Sequence, residues 1–176
     1  MNNTMLNNFF FEKTVSLNLG FSNGKYDFFC DGFVPFNIIN SLPYSDDFQL
    51  TDFFFEFGIG ETYKCIEYKD VEKITDFNSF KQLLISFEQE VYIFKLKFSL
   101  GIIDLIVDDD KEISFLFEKE FYQEAKNIFT NLIVTFFNFS QMKGEDIFSL
   151  LENNLERYLE INEKGETISI SKDFPS

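Results

Sequence analysis

Hydrophobic and polar residues alternate through the middle of the chain, over residues 90–118. Alternation with a period of two residues is typical of strands that bury one face. Gly101 and a polar turn at residues 108–111 divide the segment into three such stretches, which predicts an antiparallel meander. The side chains that we expect to point into the core are Tyr92, Phe94, Leu96, Phe98, Ile103, Leu105, Val107, Ile113, Phe115 and Phe117.

Two hairpins are predicted ahead of the meander. Residues 13–19 alternate as a strand with one buried face, and Asn23 and Gly24 then favour a tight turn because both residues readily adopt positive φ. Residues 48–57 form the next strand, FQLTDFFFEF, and residues 63–69 pair back to it. Three consecutive Phe residues cannot all face one way in a strand, so either both faces of the sheet are covered or Phe54 is exposed for a partner.

Three stretches have the 3.6-residue spacing of amphipathic helices. Asp76 is the expected N-cap of a helix near residues 76–88, a second helix follows the meander, and Gly144 separates it from a third over residues 146–159. Residues 164–171 predict a turn and a short edge strand. The pattern therefore predicts a single α+β domain over residues 1–176, with an antiparallel sheet of about six to seven strands and helices packed on it.

Composition favours a folded, cytoplasmic protein. Of the 176 residues, 45% are hydrophobic and 19% are aromatic, and rings that each bury roughly 150 to 250 Å² can fill a sizeable core. The longest apolar run, residues 100–107, is interrupted by Asp104 and is far shorter than the ~20 residues that a membrane-spanning helix needs. We expect Cys30 and Cys65 to be reduced and mostly buried.

The charge of the chain restricts its partners. Thirty acidic residues against fifteen basic residues give a net charge of −15, which disfavours binding to nucleic acid or to anionic membranes. A charged partner is therefore expected to be basic. The alternative interpretation is that the acidic surface only keeps a Phe-rich protein in solution.

The residue types that most enzymes use are missing. The chain has no His and no Trp, and Arg157 is its one Arg, so His-based triads, most catalytic zinc sites and Arg clamps on phosphate are disfavoured. Asp108, Asp109 and Asp110 do not have the spacing of a calcium-binding loop, and Gly58 and Gly60 lack the rest of a phosphate loop. A pair of carboxylates could still meet in space, but glycosidase-type sites usually also offer Trp or His. We expect a protein that is not an enzyme and needs no cofactor or metal.

Strong acidity spread over one small domain, abundant aromatic residues and no catalytic residues form a recognisable combination. Together with the Phe/Leu helix at Phe77, Phe80, Leu83 and Leu84, the meander and a second helix near Glu120, it resembles the small immunity proteins of bacterial polymorphic and contact-dependent toxin systems. The resemblance implies that the chain neutralises a basic toxin domain through acidic and aromatic surface. Two alternatives are an acidic phage-type inhibitor that imitates DNA, and an assembly subunit that uses its aromatic surface.

Two acidic stretches are the predicted partner-binding residues. Packing like charges together costs stability through repulsion, and a basic partner would relieve that cost. The first stretch precedes and enters the strand over residues 48–57, and the second occupies the last turn of the meander. The candidate residues are Asp46, Asp47, Asp52, Phe54, Glu56, Asp108, Asp109, Asp110 and Glu112.

Overall fold

A computed structural model gives the fold of residues 14–31, 42, 44–59, 62–67, 73–85, 91–108 and 112–173. Within these ranges, nine strands form one antiparallel sheet. The strands are β1 (Val15–Ser22), β2 (Lys25–Asp31), β3 (Phe48–Ile59), β4 (Thr62–Glu67), β5 (Val91–Leu100), β6 (Ile103–Asp108), β7 (Ile113–Glu118), β8 (Tyr158–Ile161) and β9 (Thr167–Ser171). The helices are α1 (Phe77–Ile85), α2 (Tyr122–Phe137), which follows a short 3-10 turn, and α3 (Gln141–Asn153). The α+β class is confirmed, with more strands than the sequence predicted.

The sheet is organised around the meander, and its order is β4-β3-β5-β6-β7-β2-β1-β8-β9. The predicted alternation of β5, β6 and β7 is confirmed where the structure describes the side chains, since their inward residues are almost completely buried. Tyr92 and Phe94 lie in β5, but their side chains fall outside the described part. The buried meander residues are Leu96, Phe98, Ile103, Leu105, Val107, Ile113, Phe115 and Phe117.

The β1–β2 hairpin continues the sheet beyond the meander. Asn23 and Gly24 have φ angles of 54° and 78°, as a tight turn between two strands requires. β2 pairs with β7, and β1 pairs with β8, which brings the C-terminal β8–β9 hairpin to one edge of the sheet. The order of the strands therefore depends on contacts between parts of the chain that are distant in sequence.

The helices bury one face of the sheet through clusters of aromatic rings. The Phe129 ring of α2 stacks on Phe28 at a centroid distance of 4.5 Å and lies 5.2 Å from Phe115. The Phe80 ring of α1 packs on Phe48 and Phe98 at 5.1 and 5.3 Å. These rings exclude water from the centre of the fold, and their burial is the main source of its stability.

The third helix differs from the prediction at both ends. It begins at Gln141, where the Ser140 side chain accepts a hydrogen bond from the Lys143 amide, and it contains Gly144. A Cβ added at Gly144 would lie 2.6 Å from Cγ2 of Val134, so this glycine permits the close approach of α3 to α2 and does not end a helix. The helix ends at Asn153, and Leu159, which was predicted to be helical, lies in β8.

Two register shifts interrupt the pairing of β3 with β5, and the first, which puts an extra residue in β3, changes the predicted assignment of its faces. Alternation alone placed Asp52 on the same face as Leu50, but a shift between these residues pairs Asp52 with Lys97 and Phe53 with Leu96. One extra residue in a strand reverses the faces of all later residues, which the pattern of residue types cannot reveal. Phe54 then pairs with Lys95, and its position is half-buried.

Two smaller predictions also have an outcome. Cys30 is a free, buried thiol, as expected, and the side chain of Cys65 lies outside the described part. None of the described helices is long and apolar enough to cross a membrane.

Candidate interaction surface

The structure separates the predicted acidic residues into two groups. Asp46 and Asp47 form an exposed turn before β3, beside the turn at Gly101 that joins β5 to β6. Asp108 ends β6, where it pairs with Lys95. Since Lys95 and Gly101 lie six residues apart at about 3.4 Å per residue, the two groups are roughly 20 Å apart. This separation exceeds a screening length of about 8 Å at physiological salt, so the groups do not act as one patch.

Basic residues partly neutralise the group at the end of β6. The Lys95 ammonium lies 3.0 Å from Oδ2 of Asp52, and the Lys95 backbone pairs with both Phe54 and Asp108. Glu112 is half-buried ahead of β7 and interacts with another group of the protein. Glu56 lies in β3 and Asp108 in β6, but their side chains fall outside the described part, as do Asp109 and Asp110 altogether. The described portion of this group is therefore a surface of mixed charge.

The other group, Asp46 and Asp47, lies beside Tyr44 and Asp76. We call these four residues, Tyr44, Asp46, Asp47 and Asp76, the acidic corner. Tyr44 is 62% exposed. Its hydroxyl donates a hydrogen bond to the Asp46 carboxylate, and this bond, with the negative charges of Asp46 and Asp76, raises the pKa of Tyr44. The corner thus presents an exposed aromatic ring beside the carboxylates of Asp46 and Asp76, while the Asp47 side chain lies against the turn at Gly101.

Backbone contacts fix the loop that carries Asp46 and Asp47. The Ser45 hydroxyl donates to the Leu100 carbonyl at 3.1 Å and accepts from the Asp47 amide at 3.2 Å. Gly101 has a φ of 89°, and a Cβ at this position would lie 3.1 Å from Cβ and Oδ2 of Asp47. Only glycine satisfies both the backbone angle and the close contact. The turn between β5 and β6 therefore supports the Asp47 side chain.

Helix α1 contributes the third carboxylate. Asp76 is the N-cap, as predicted, and it accepts hydrogen bonds from the Ser79 amide and the Ser79 hydroxyl, both at 2.8 Å. The bond from the Ser79 amide and then that from its hydroxyl lower the pKa of Asp76, so it carries its charge at neutral pH. Phe77 and Phe80 hold this helix in the core, and the Lys81 ammonium donates to the Leu42 carbonyl at 3.4 Å. The helix is thereby tied to the loop ahead of Tyr44.

The acidic corner is suited to binding a cationic surface. Three carboxylates can accept hydrogen bonds from Lys or Arg side chains, and the face of the Tyr44 ring attracts cations. In the described ranges, no group of three or more His, Cys, Asp or Glu side chains is arranged to hold a metal ion. The sequence singled out Asp46 and Asp47 but not Tyr44 or the charge of Asp76. The neighbouring letters Tyr44-Ser45-Asp46-Asp47 were an available signal, because Tyr is frequent at protein interfaces.

A second polar cluster joins α2 to α3. The Tyr122 hydroxyl donates to Oε2 of Glu152 at 2.6 Å, and the Lys126 ammonium donates to Oε1 of Glu152 at 2.9 Å. Burial, followed by the bond to Glu152, raises the pKa of Tyr122. Burial alone would raise the pKa of Glu152, but the bonds from Lys126 and Tyr122 lower it. All three groups are satisfied by one another, so the cluster braces the two helices.

A third polar group lies on the face of the sheet opposite the helices. Asp27 of β2 pairs with Gly20 and Leu116, and its Oδ1 atom is buried without a hydrogen-bond partner among the residues that the structure describes. Burial raises the pKa of Asp27 to about 6, although a hydrogen bond from Ser114 acts in the opposite direction. This carboxylate is a cost to the fold at neutral pH.

The comparisons with known proteins add no identification. Family models, curated proteins and solved structures were compared with the chain, and none of them matches it. The function has to be inferred from the residues and their arrangement.

Proposed function

We propose that this protein is a non-catalytic binding protein that neutralises a basic bacterial toxin domain, as the immunity proteins that it resembles do. The single observation that carries the proposal is the acidic corner, where a 62% exposed Tyr44 lies beside the charges of Asp46 and Asp76, with Asp47 next along the same turn. An exposed aromatic ring costs free energy in water, and like charges repel one another. A basic protein surface that covers the corner relieves both costs.

The corner has the properties of a binding surface with a rigid framework. Ser45, Gly101 and the N-cap of α1 fix its backbone, so little conformational entropy is lost when a partner binds. Tyr44 supplies a large ring with few rotatable bonds, which is the usual character of an energetic anchor. The surrounding carboxylates steer a basic partner toward it and select against acidic ones.

The face of the sheet opposite the helices carries mixed charges. These charges bear on the alternative that the protein is an inhibitor that imitates DNA. An inhibitor that imitates DNA needs carboxylates in two rows at phosphate-like spacing. In the described part of this face, Lys95 and Lys97 of β5 lie between the acids of β3 and β6, and Lys95 forms an ion pair with Asp52. This arrangement supports a local basic partner at the acidic corner over an imitation of the DNA backbone.

Complex formation with a defined partner tests the proposal. Immunity proteins are encoded directly after their toxins, so the toxin domain encoded immediately before this gene is the probe. We expect the purified chain to bind that domain and to abolish its toxic activity. Replacing Tyr44 with Ala should weaken binding by about 2 kcal/mol or more, as for other aromatic anchors, whereas replacing it with Phe should have a smaller effect.

Two results would contradict the proposal. One is an absence of binding and of protection by the wild-type protein. The other is a Tyr44→Ala variant that binds as tightly as the wild type, since the ring would then lie outside the interface. Replacing Met142 with Ala provides the control, because Met142 is another highly exposed apolar residue but lies on α3. This control should leave affinity unchanged.

A further inference from the structure

The turn between β1 and β2 contains the one Asn-Gly pair in the chain, Asn23 and Gly24. Both residues are exposed, as are the flanking Ser22 and Lys25. In the described ranges, neither the Asn23 side chain nor the Gly24 amide takes part in a hydrogen bond. A Cβ added at Gly24 would meet no atom within 4 Å, so the space beside its backbone is open. The Asn23 carboxamide and the Gly24 nitrogen are therefore accessible to each other and to water.

These two groups are the reactants of asparagine deamidation. The Gly24 nitrogen attacks Cγ of Asn23 and forms a new N–Cγ bond, while the Cγ–Nδ2 bond breaks and ammonia leaves with the proton of the Gly24 amide. Water then opens the resulting succinimide ring at either of its carbonyl groups, which gives an aspartate or an isoaspartate at position 23. A side chain on the second residue would hinder the attack, and glycine has none. Water is the only other reactant.

Weak contacts hold this end of the hairpin. Ring closure brings Cγ of Asn23 onto the Gly24 nitrogen, so the backbone of the turn has to rotate. The Gly24 carbonyl accepts a hydrogen bond from the Lys119 amide at 3.3 Å, and the Lys25 ammonium lies 3.6 Å from Oε1 of Glu118 in an ion pair that is about half exposed. Exposed ion pairs contribute little to stability, and exposed turns open locally at a low free energy. The folded protein can therefore make the movement that the reaction needs.

We propose that Asn23 is a site of spontaneous deamidation in the folded protein, and that the isoaspartate product weakens the β1–β2 hairpin. An isoaspartate adds one carbon atom to the main chain, which the two-residue turn that keeps Ser22 opposite Lys25 does not accommodate. An ordinary aspartate keeps the length of the main chain, and Asp-Gly favours the same turn as Asn-Gly. Either product adds one negative charge to a chain whose net charge is −15.

Asn138 is a matched comparison within the same chain. It is exposed and has a φ of 58°, close to the 54° of Asn23. The residue after it is Phe139, which carries a ring where Gly24 has only a hydrogen atom. The Phe139 amide, which would be the attacking group, also donates a hydrogen bond to the Val134 carbonyl at 3.1 Å. The two asparagines thus share exposure and backbone φ but differ in the freedom of the attacking nitrogen.

Peptide mapping of the aged wild-type chain tests the proposal. The protein is kept at neutral pH, folded in one sample and in urea in another, and is digested with trypsin at intervals. Cleavage after lysines releases residues 14–25, with Asn23, and residues 127–143, with Asn138. In the folded sample, Asn23 should convert to two products with the mass of a carboxylic acid, and faster at higher pH because the attacking nitrogen has to lose its proton. Asn138 should remain unmodified over the same period.

Urea denaturation of the products tests the effect on the hairpin. The isoaspartate form, separated by ion exchange, should unfold at a lower urea concentration than the wild type. The variant Asn23→Asp is the control for the added charge, and its free energy of unfolding should be close to that of the wild type. An Asn23 that stays intact in the folded sample, whether or not it converts in urea, would overturn the proposal. So would an Asn138 that converts as fast as Asn23, or an isoaspartate form as stable as the wild type.

Discussion

Replacing Asp27 with Asn should stabilise the protein at neutral pH. The Asp27 carboxylate has one oxygen that is buried without a hydrogen-bond partner among the described residues. Other acids on its face of the sheet include Asp31, Asp104 and Glu118, while Lys25 lies 3.6 Å from Glu118 and forms an ion pair with it. Among the residues that the structure describes, no ion pair joins Asp27 to a cation. Asn has nearly the same shape and removes the buried charge.

The size of the effect follows from the pKa. Burial raises the pKa of Asp27 from 3.8 to about 6, and each pH unit corresponds to about 1.4 kcal/mol, so the charged form costs about 3 kcal/mol. The folded state keeps the Asp27 carboxyl group protonated to a higher pH than the unfolded state does. The loss of stability from the charged form is therefore absent below about pH 4, grows between pH 4 and pH 6, and is complete above pH 6. Since an amide also leaves polar atoms to satisfy, we expect a gain of about 2 kcal/mol at neutral pH.

Urea denaturation across this pH window measures the difference. The free energy of unfolding of Asp27→Asn minus that of the wild type should lie slightly below zero under about pH 4, where only the cost of the amide remains, and should rise by about 3 kcal/mol to its plateau above pH 6. Subtracting the two proteins cancels the titration of the other acids. Asp104→Asn removes one exposed charge from the same face, and it is the control for net charge. A difference that is flat with pH, or a variant that is less stable than the wild type at pH 7, would refute the reasoning.

Two further predictions concern packing. Replacing Phe115 with Ala removes a fully buried ring whose centroid lies 5.2 Å from that of Phe129 and 5.8 Å from that of Phe28. The variant should be less stable by about 3 to 5 kcal/mol in urea or thermal unfolding. A variant that melts like the parent would contradict the core assignment. Replacing Gly144 with Ala should destabilise by roughly 1 to 3 kcal/mol, because the new methyl group meets Val134. Helix propensity alone would stabilise this variant by about 1 kcal/mol, so the sign of the measured change decides between packing and propensity.

Local patterns account for the parts of the fold that were predicted well. The meander alternates cleanly because one face of each strand lies under helices and the other does not. The turn at Asn23 and Gly24 and the N-cap at Asp76 depend on the chemistry of the residues themselves. Such features are readable because each is determined within a few residues of sequence.

The features that were missed depend on distant parts of the chain. Gly144 looks like a helix break in sequence, but its role is set by Val134 on another helix. Strand β8 is only four residues long, and its Leu159 also fits the spacing of a helix. The register shift near Asp52 leaves no mark in residue type. In each case a contact or a backbone irregularity decided the structure, and no local pattern encodes it.

The same distinction applies to the acidic corner. Asp46 and Asp47 are adjacent in sequence and were recognised as a pair of acids. Asp76 influences the Tyr44 hydroxyl only because α1 packs beside the loop, through contacts such as that of the Phe80 ring with Phe48. Tyr44 was overlooked because Phe54 was the aromatic residue singled out for the partner, and Phe54 is half-buried opposite Lys95.

The dependence of the association rate on salt tests the proposed binding of a basic partner most directly. Stopped-flow mixing with the basic partner proposed above gives the rate for the wild type, for the double variant Asp46→Asn and Asp47→Asn, and for the double variant Glu145→Gln and Asp146→Asn. The second double variant is the control, because it removes two exposed acids from α3. Helix α3 packs near β1, which lies several strands away from β3 in the sheet, and neighbouring strands are about 4.8 Å apart.

The wild-type rate should fall steeply as the screening length shrinks from about 10 Å at 0.1 M salt to about 3 Å at 1 M. The Asp46 and Asp47 substitutions should slow association at low salt and flatten its salt dependence, while the α3 control should follow the wild type. A wild-type rate that is flat with salt, or two double variants that behave alike, would contradict binding through the acidic corner.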